Sequence, residues 1–364
     1  MSLLRRPLVL IPVAVGVLLA AWGSLHLPYR GFRDRVLVDI PRGSGAVAIS
    51  TRLAEAGVIR FRWQLLLARA LRPRDRLHAG EYLFDRRASV WEIFDRMVRG
   101  DVFYHELTVP EGYNIFDIAE ALDRLGVIGG DDFLRAARDP SLIRDLAPEA
   151  PTLEGYLFPD TYRVTRHMSA AQLCRQMTDR FRMAWAQLNT DAPVHETVTL
   201  ASLIEKETAL PEERPVVASV FRNRLRRGMR LECDPTAIYA ALLEDRYRGA
   251  LYRSDLERRH RYNTYQYDGL PPGPIANPGL ASLEAALRPA RTNYLYFVAR
   301  SDDSGGHIFS ATLDAHQRAV RKYRRGLASR VQAPPAGGIP GRKAARSDRR
   351  GRMGGDPLPP RSDL

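Results

Sequence analysis

A chain of 364 residues is long enough to bury a sizeable core in two or three domains, and 45% hydrophobic with 27% charged residues is the composition of an ordinary globular protein. The formal charge of +13 does not argue for nucleic acid: eight Lys/Arg against three Asp/Glu fall within 329–364, and the remaining +8 is spread over Arg-rich helical surfaces without an aromatic-flanked basic motif. Cys174 and Cys233 lie far apart with no metal-ligand spacing, which excludes a thiolate zinc site and leaves two buried free thiols, or one pair in an oxidising compartment.

From Pro7 to Tyr29 there is no Lys, Arg, Asp or Glu, and the run "LVLIPVAVGVLLAAWGSLHL" is about as long as a bilayer-spanning helix has to be. Arg5 and Arg6 before it and a long polar chain after it predict a cytoplasmic N-terminus with the rest exported. A cleaved signal peptide is the competing reading, but its apolar run would be unusually long and it lacks a clean Ala-x-Ala site. No cysteine follows the run, which excludes a lipoprotein-type anchor. The expectation is a retained single-pass anchor in residues 1–30.

Aligned with itself at an offset of 69 residues, the chain gives an internal match between "IPRGSGAVAISTRLAEAGVI" (Ile40 to Ile59) and "VPEGYNIFDIAEALDRLGVI" (Val109 to Ile128). "GEYLF" (Gly80 to Phe84) is echoed by "EGYLF" (Glu154 to Phe158). Two diverged copies of one supersecondary unit explain both, chance likeness of two βα units being the alternative. Each copy reads as a strand, a Pro-x-Gly turn, an amphipathic helix stopped at Gly57 or Gly126, a second helix, then a strand through Tyr-Leu-Phe. Ser89 then starts a helix that Gly100 closes.

From Thr197 the pattern turns helical. One segment runs to Thr208, a second starts at Pro211 and is closed by Gly228, and a third starts at Asp234 as N-cap with Pro235 at its first position. The stretch "YNTYQYDGLPPGPIANPG" (Tyr262 to Gly279) is too rich in Pro and Gly to be a flexible linker. A helix from Leu280, a hairpin through "NYLYFVAR" and "HIFS", and a last helix ending near Arg325 follow. Residues 329–364, rich in Pro, Gly and basic residues without apolar period, read as a disordered tail.

The candidate chemistry sits in "LASLIEKETAL" (Leu200 to Leu210). At roughly 100° per residue, Leu200, Leu203 and Ile204 share a face with Glu207 near its centre, whereas Glu205 points about 160° away from Glu207. Glu207 is thus aimed into apolar surroundings, and Glu205 and Lys206 are expected toward solvent or the helix sides. A carboxyl deprived of hydration has a raised pKa and can donate a proton near neutral pH, as glycosidic cleavage requires of a general acid. A helix-end Glu that snorkels is the bland alternative. No partner acid is evident at short spacing: Asp234 reads as a cap and Glu232 as surface. There is no HExxH and no Gly-x-Ser-x-Gly. In the Pro/Gly loop, Tyr262, Tyr265 and Tyr267 offer ring faces for sugars, and Asn263 and Asn277 offer amides for hydroxyl and acetamido groups; a braced structural loop is the alternative, and it applies equally to Asn223 and Arg224.

The ordered series "EGYLFPDTY", "ASLIEKET", "VASVFRNRLRRGMRLECDPTAIYA", "YNTY", "GLPPGPIANPG", "PARTNYLYFVA" and "HIFSATLDAH" closely resembles the membrane-anchored endolytic murein transglycosylases, the G-type family of lytic transglycosylases, from about Val36 to Arg325. The resemblance implies an α+β chain: an inner-membrane anchor in 1–30, a LysM-like βααβ unit in 31–104, a helix-rich periplasmic catalytic domain in 105–328 and the tail in 329–364. It implies a lyase without metal or cofactor that cleaves within nascent peptidoglycan, beside a membrane glycosyltransferase or penicillin-binding protein. One Glu protonates the oxygen linking N-acetylmuramic acid to N-acetylglucosamine, and its carboxylate then takes the proton of the muramyl C6 hydroxyl, closing a 1,6-anhydro ring in place of attack by water. In that class a small hydroxyl residue commonly follows the acid, which Glu207-Thr208 satisfies and Glu205-Lys206 does not. Asn263, Tyr265, Asn223 and Asp234 are the substrate contacts the resemblance suggests. Cys233 departs from it, standing where a polar, non-thiol residue is expected. A muramidase-type hydrolase and a non-catalytic peptidoglycan-binding scaffold are the competing functions.

Overall fold

The computed structural model describes residues 7–302 and 304–332, the tail beyond Gln332 lying outside the described residues. It divides into two compact units, the first of Met1–Leu107 with Arg163–Met168 and the second of Thr108–Tyr162 with Ser169–Leu364.

In the first unit the order is α1 (Pro7–His26), β1 (Val36–Ile40), α2 (Ala46–Glu55), α3 (Arg62–Leu71), β2 (Gly80–Phe84) and α4 (Val90–Arg99). β1 and β2 pair antiparallel from Val36↔Phe84 to Ile40↔Gly80, and the two helices between them close the crossover. Val38, Ile40, Leu53, Leu65, Tyr82, Ile93, Phe94 and Met97 form the core. The limits of α4 are those the sequence predicts. Ser89 Oγ accepts from the Glu92 amide and Glu92 Oε2 accepts from the Ser89 amide, a reciprocal N-terminal cap. Gly100 ends the helix at φ 66°, a conformation costly for a residue with a Cβ.

The apolar N-terminal run lies in α1. Residues 1–6 of the expected anchor, and the side chains of residues 7–14 and of Leu18, lie outside the described residues; among the described residues no helix is long and apolar enough to cross a membrane.

The second unit contains β3 (His105–Val109, begun in the first), α5 (Ile115–Leu125), α6 (Gly130–Ala137), β4 (Asp160–Val164, ending in the first), α7 (Ala170–Gln187), α8 (Val194–Glu207), α9 (Arg214–Arg226), α10 (Asp234–Leu243), α11 (Arg253–Glu257), α12 (Leu280–Leu287), the β5–β6 hairpin (Tyr296–Ala299, His307–Ser310) and α13 (Leu313–Gln332). β3 pairs with β4 around α5 and α6, repeating the strand–helix–helix–strand order of the first unit. The echo at Glu154 to Phe158 is not a strand, however: it is a turn, with Gly155 at φ 85° pressed against Pro274, and β4 starts at Asp160. Three boundaries also move. Residues 211–213 form a turn before α9, Cys233 rather than Asp234 occupies the N-cap of α10, and α13 runs past Arg325 to Gln332.

α8 is the centre of this unit. Thr197 to Ile204 are all buried, because α9, α10 and α12 pack around it. Its hydroxyls are satisfied within the helix, Thr199 Oγ1 on His195 O and Ser202 Oγ on Thr199 O. Over that stretch the helix is covered on every side and has no solvent face, which bears directly on the two glutamates just beyond it.

Candidate active site

α8 stops at Glu207, and Thr208 leaves it in an extended conformation (φ −141°, ψ 133°). The Thr208 hydroxyl accepts from the Leu210 amide at 3.1 Å and reaches Glu213 Oε2 at 3.4 Å. Glu213 in turn accepts from the His307 amide (2.8 Å) and bonds His307 Nδ1 (2.6 Å). The residue after the acid is thus tied to the start of α9 and to the β5–β6 hairpin, so the exit of α8 cannot swing.

Glu207 Oε1 is buried and takes no hydrogen bond from the protein. Burial pushes the carboxyl up to about 7; the thiol of Cys233 hydrogen-bonds it and pulls the other way, Asp234 adds to the rise, and the Arg224 guanidinium opposes it. Desolvation wins because one weak S–H donor and an offset pair of neighbouring charges replace the water a carboxylate would otherwise hold.

Asp234, the first residue of α10 and not its N-cap, accepts from the Tyr265 hydroxyl at 2.6 Å. Its charge acts on the Glu207 carboxyl, so Glu207 is not a solitary carboxylate. Asp234 and Tyr265, two of the contacts the resemblance suggests, lie close to Glu207. Cys233, noted in the sequence only as a departure from the resemblance, joins them. Its thiol and that of Cys174 are both free and buried.

Two predicted contacts are not free for substrate. Asn263 donates its amide to the carbonyls of Asp255, Leu256 and Arg258 and accepts from the Tyr265 amide. Asn223 donates to Thr292 O and Tyr294 O and accepts from Arg226. Both are braces, as is Asn277, which bonds Tyr113 O, Glu154 and the Leu157 amide. Arg224 is also internal: it donates to Leu295 O, Arg230 O, Leu231 O and Glu232. It thereby fixes the backbone just before Cys233, where Glu232 is held at φ 53°, a local strain that such bracing has to offset.

Glu205 corrects the helical-face argument. Its side chain is only 6% exposed; Oε1 lies 3.0 Å from Arg214 Nη2 and Oε2 accepts from the Gly279 amide at 3.0 Å. Glu111 faces the same guanidinium at 3.5 Å, and burial next to Glu205 raises its pKa. Lys206 is the exposed member, with Nζ on Gly112 O.

A cleft of about 340 Å³ is lined by Glu111, Gly112, Lys206, Glu207, Thr208 and Arg214, among others. A second, of about 300 Å³, shares Glu111, Gly112 and Lys206 with it and continues past Tyr113 and Arg124. Glu207 therefore lines a cleft whose walls come from α8, α9 and the turn before α5, and the second cleft adjoins it at Glu111, Gly112 and Lys206.

Glu154 holds that turn in place. Its carboxyl accepts from the Ile115 amide, the Tyr239 hydroxyl and the Asn277 amide at 2.9–3.1 Å, while burial pushes its pKa up to about 8. Glu154→Gln turns an NH₂ group against at least one of these donors. An expected loss of about 1–3 kcal/mol in urea unfolding follows, and an unchanged midpoint would show that the three bonds do not matter.

The signature of the YceG-like family matches residues 38–322. The endolytic murein transglycosylase of Bacillus subtilis is 32% identical over 312 residues, covering 80% of this chain and 85% of that protein. Those of two Streptococcus pneumoniae strains are 28% identical over 328 residues, and the chain spans 58% of their length. The crystal structure of a YceG-like protein from Listeria monocytogenes is 33% identical, with a TM-score of 0.50 over 79% of this chain and 99% of that one.

Proposed function

The chain belongs to the YceG-like family, and from that premise and the setting of Glu207 we propose an endolytic lytic transglycosylase that cleaves peptidoglycan strands with formation of 1,6-anhydromuramyl ends. The observation that carries the reading is a buried carboxyl with its pKa pushed up to about 7 and one oxygen without a protein partner, in the wall of a cleft. Such a group is protonated for part of the time near neutral pH and can pass its proton to the glycosidic oxygen. Leaving as a carboxylate, it is the base for the C6 hydroxyl, and the same atom serves both steps. Thr208, Glu213 and His307 hold the acid's position, and a second cleft adjoining the first at Glu111, Gly112 and Lys206 gives room for a strand to pass the acid in mid-chain. The relatives named endolytic murein transglycosylases support the substrate class.

Asp234 is the observation that favours a hydrolase instead, as a second carboxylate at the acid. Product mass decides. Incubation with uncrosslinked glycan is expected to give anhydro-ended products; products heavier by one water would assign a muramidase, and no products at all with strands still bound would assign a scaffold.

The proposal extends to location. The 20-residue helix Pro7–His26, which carries no Lys, Arg, Asp or Glu, matches the hydrocarbon thickness of a bilayer, so α1 is read as a single-pass inner-membrane anchor with the N-terminus cytoplasmic and both units periplasmic. The strand–helix–helix–strand order of the first unit supports a LysM-like module that holds glycan. A polymerase of the same strands is the natural neighbour in that membrane. A chain released from membranes by alkaline carbonate would contradict the anchor.

A further inference from the structure

The end of α1 is built into the first unit. Leu25 is part of its core, the Trp22 and His26 rings lie 4.4 Å apart and His26 is 6.4 Å from Trp91, and Tyr29 bridges to Ala88. At the third position of α3, the Gln64 Nε2 group donates to Ser24 O at 2.9 Å. The turn into α3 is therefore fixed beside residue 24, where the apolar run gives out.

That turn is Arg60-Phe61-Arg62-Trp63. Phe61 and Trp63 stack at 6.3 Å yet remain 51% and 42% exposed. The Arg60 guanidinium lies over the Tyr29 ring at 5.1 Å, and Trp22 and Leu27 stand exposed at the same level of the chain. Two large aromatic side chains left in water without a function would be an unfavourable surface for a soluble unit. Interleaved with arginines at the end of an apolar helix, they match the aromatic and basic girdle that proteins place at the headgroup layer.

We propose that the Arg60–Trp63 turn, together with Trp22 and Leu27, lies in the headgroup layer of the membrane, its rings among the upper acyl segments and its guanidinium groups on anionic phospholipid phosphates. The proposal rests on α1 being an anchor. It adds a second point of contact, set by the Gln64–Ser24 bond, so the first unit rests on the bilayer instead of hanging from it by a flexible stalk.

The test uses the full chain in vesicles of phosphatidylethanolamine and phosphatidylglycerol. Nitroxide labels are placed singly by Val17→Cys, Phe61→Cys, Trp63→Cys and, as an exposed control in the second unit, Met183→Cys; Cys174 and Cys233 are buried, and the unsubstituted chain sets their background. Collisions with oxygen are expected to exceed those with a water-soluble nickel chelate at 17, 61 and 63, and the reverse is expected at 183. Lipid-like behaviour at 17 with water-like behaviour at 61 and 63 overturns the contact and leaves the anchor standing. Water-like behaviour at 17 overturns both. In phosphatidylcholine vesicles the labels at 61 and 63 are expected to become shallower while 17 is unchanged; equal depth in both lipids overturns the role given to anionic phosphates.

Discussion

Glu207→Gln is expected to reduce turnover of glycan strands by roughly 10³-fold or more, since a single carboxyl acts first as acid and then as base, while the protein stays folded and still binds the strand. Gln fills the same space and can accept from the Cys233 thiol, but it has no proton to give and none to take back. The neighbouring substitution separates chemistry from architecture. Glu205→Gln leaves Arg214, itself about 10% exposed, short of a charge partner, and breaking a buried pair of this kind costs about 3–5 kcal/mol. The lower end applies here, because Glu111 also faces the guanidinium at 3.5 Å. Glu205→Gln should therefore unfold at lower urea yet retain kcat wherever it remains folded. The two variants are distinguished by pairing each assay with its unfolding curve. A folded but inactive Glu205→Gln beside an active Glu207→Gln would transfer the acid role to Glu205.

The pair also shows what one sequence can reveal. Glu207 was legible because its apolar neighbours at three, four and seven residues are local. Glu205 was not, because what buries it comes from far along the chain: Arg214 begins α9 and Gly279 precedes α12. Helical phase reports where a side chain points, not what stands there. The same distinction separates the helix ends from the loop. Ser89, Gly100, Asn114 and Gly126 satisfy groups within three or four residues of themselves, so their roles are written locally. The amides of Asn223 and Asn277 are consumed by carbonyls roughly 70 to 164 residues away, and a free amide and a bracing amide look alike in sequence. Asn263 is a harder case, since its partners are near in sequence but only a folded loop turns their carbonyls inward. Cys233 stood out as unusual for its place, yet only the packing of α10 against α8 brings its thiol to the acid.

The pH dependence of the reaction should report the same carboxyl. With its pKa pushed up to about 7, the acid form is present below that pH and is lost above it, so kcat/KM is expected to fall about tenfold per pH unit on the alkaline side. The stability linkage has its own sign. A Glu whose folded pKa lies above the unfolded value binds more protons when native, so it lowers stability as pH rises from the unfolded value near 4.5 to about 7. Glu154, with its pKa raised in the same direction, adds a similar slope, so the contribution of Glu207 is read as the difference between wild type and Glu207→Gln over that window. Cys233 provides a sharper test. Its thiol favours the charged carboxylate, and a hydroxyl is the stronger donor. Cys233→Ala should therefore move the alkaline limb of kcat/KM up by about one unit and Cys233→Ser should move it down, one unit corresponding to ~1.4 kcal/mol of interaction. Loss of packing alone would not drive the two variants in opposite directions. Limbs that coincide with wild type in both would place the thiol outside the hydrogen bond to Glu207 and leave burial and Asp234 as the cause of the raised pKa.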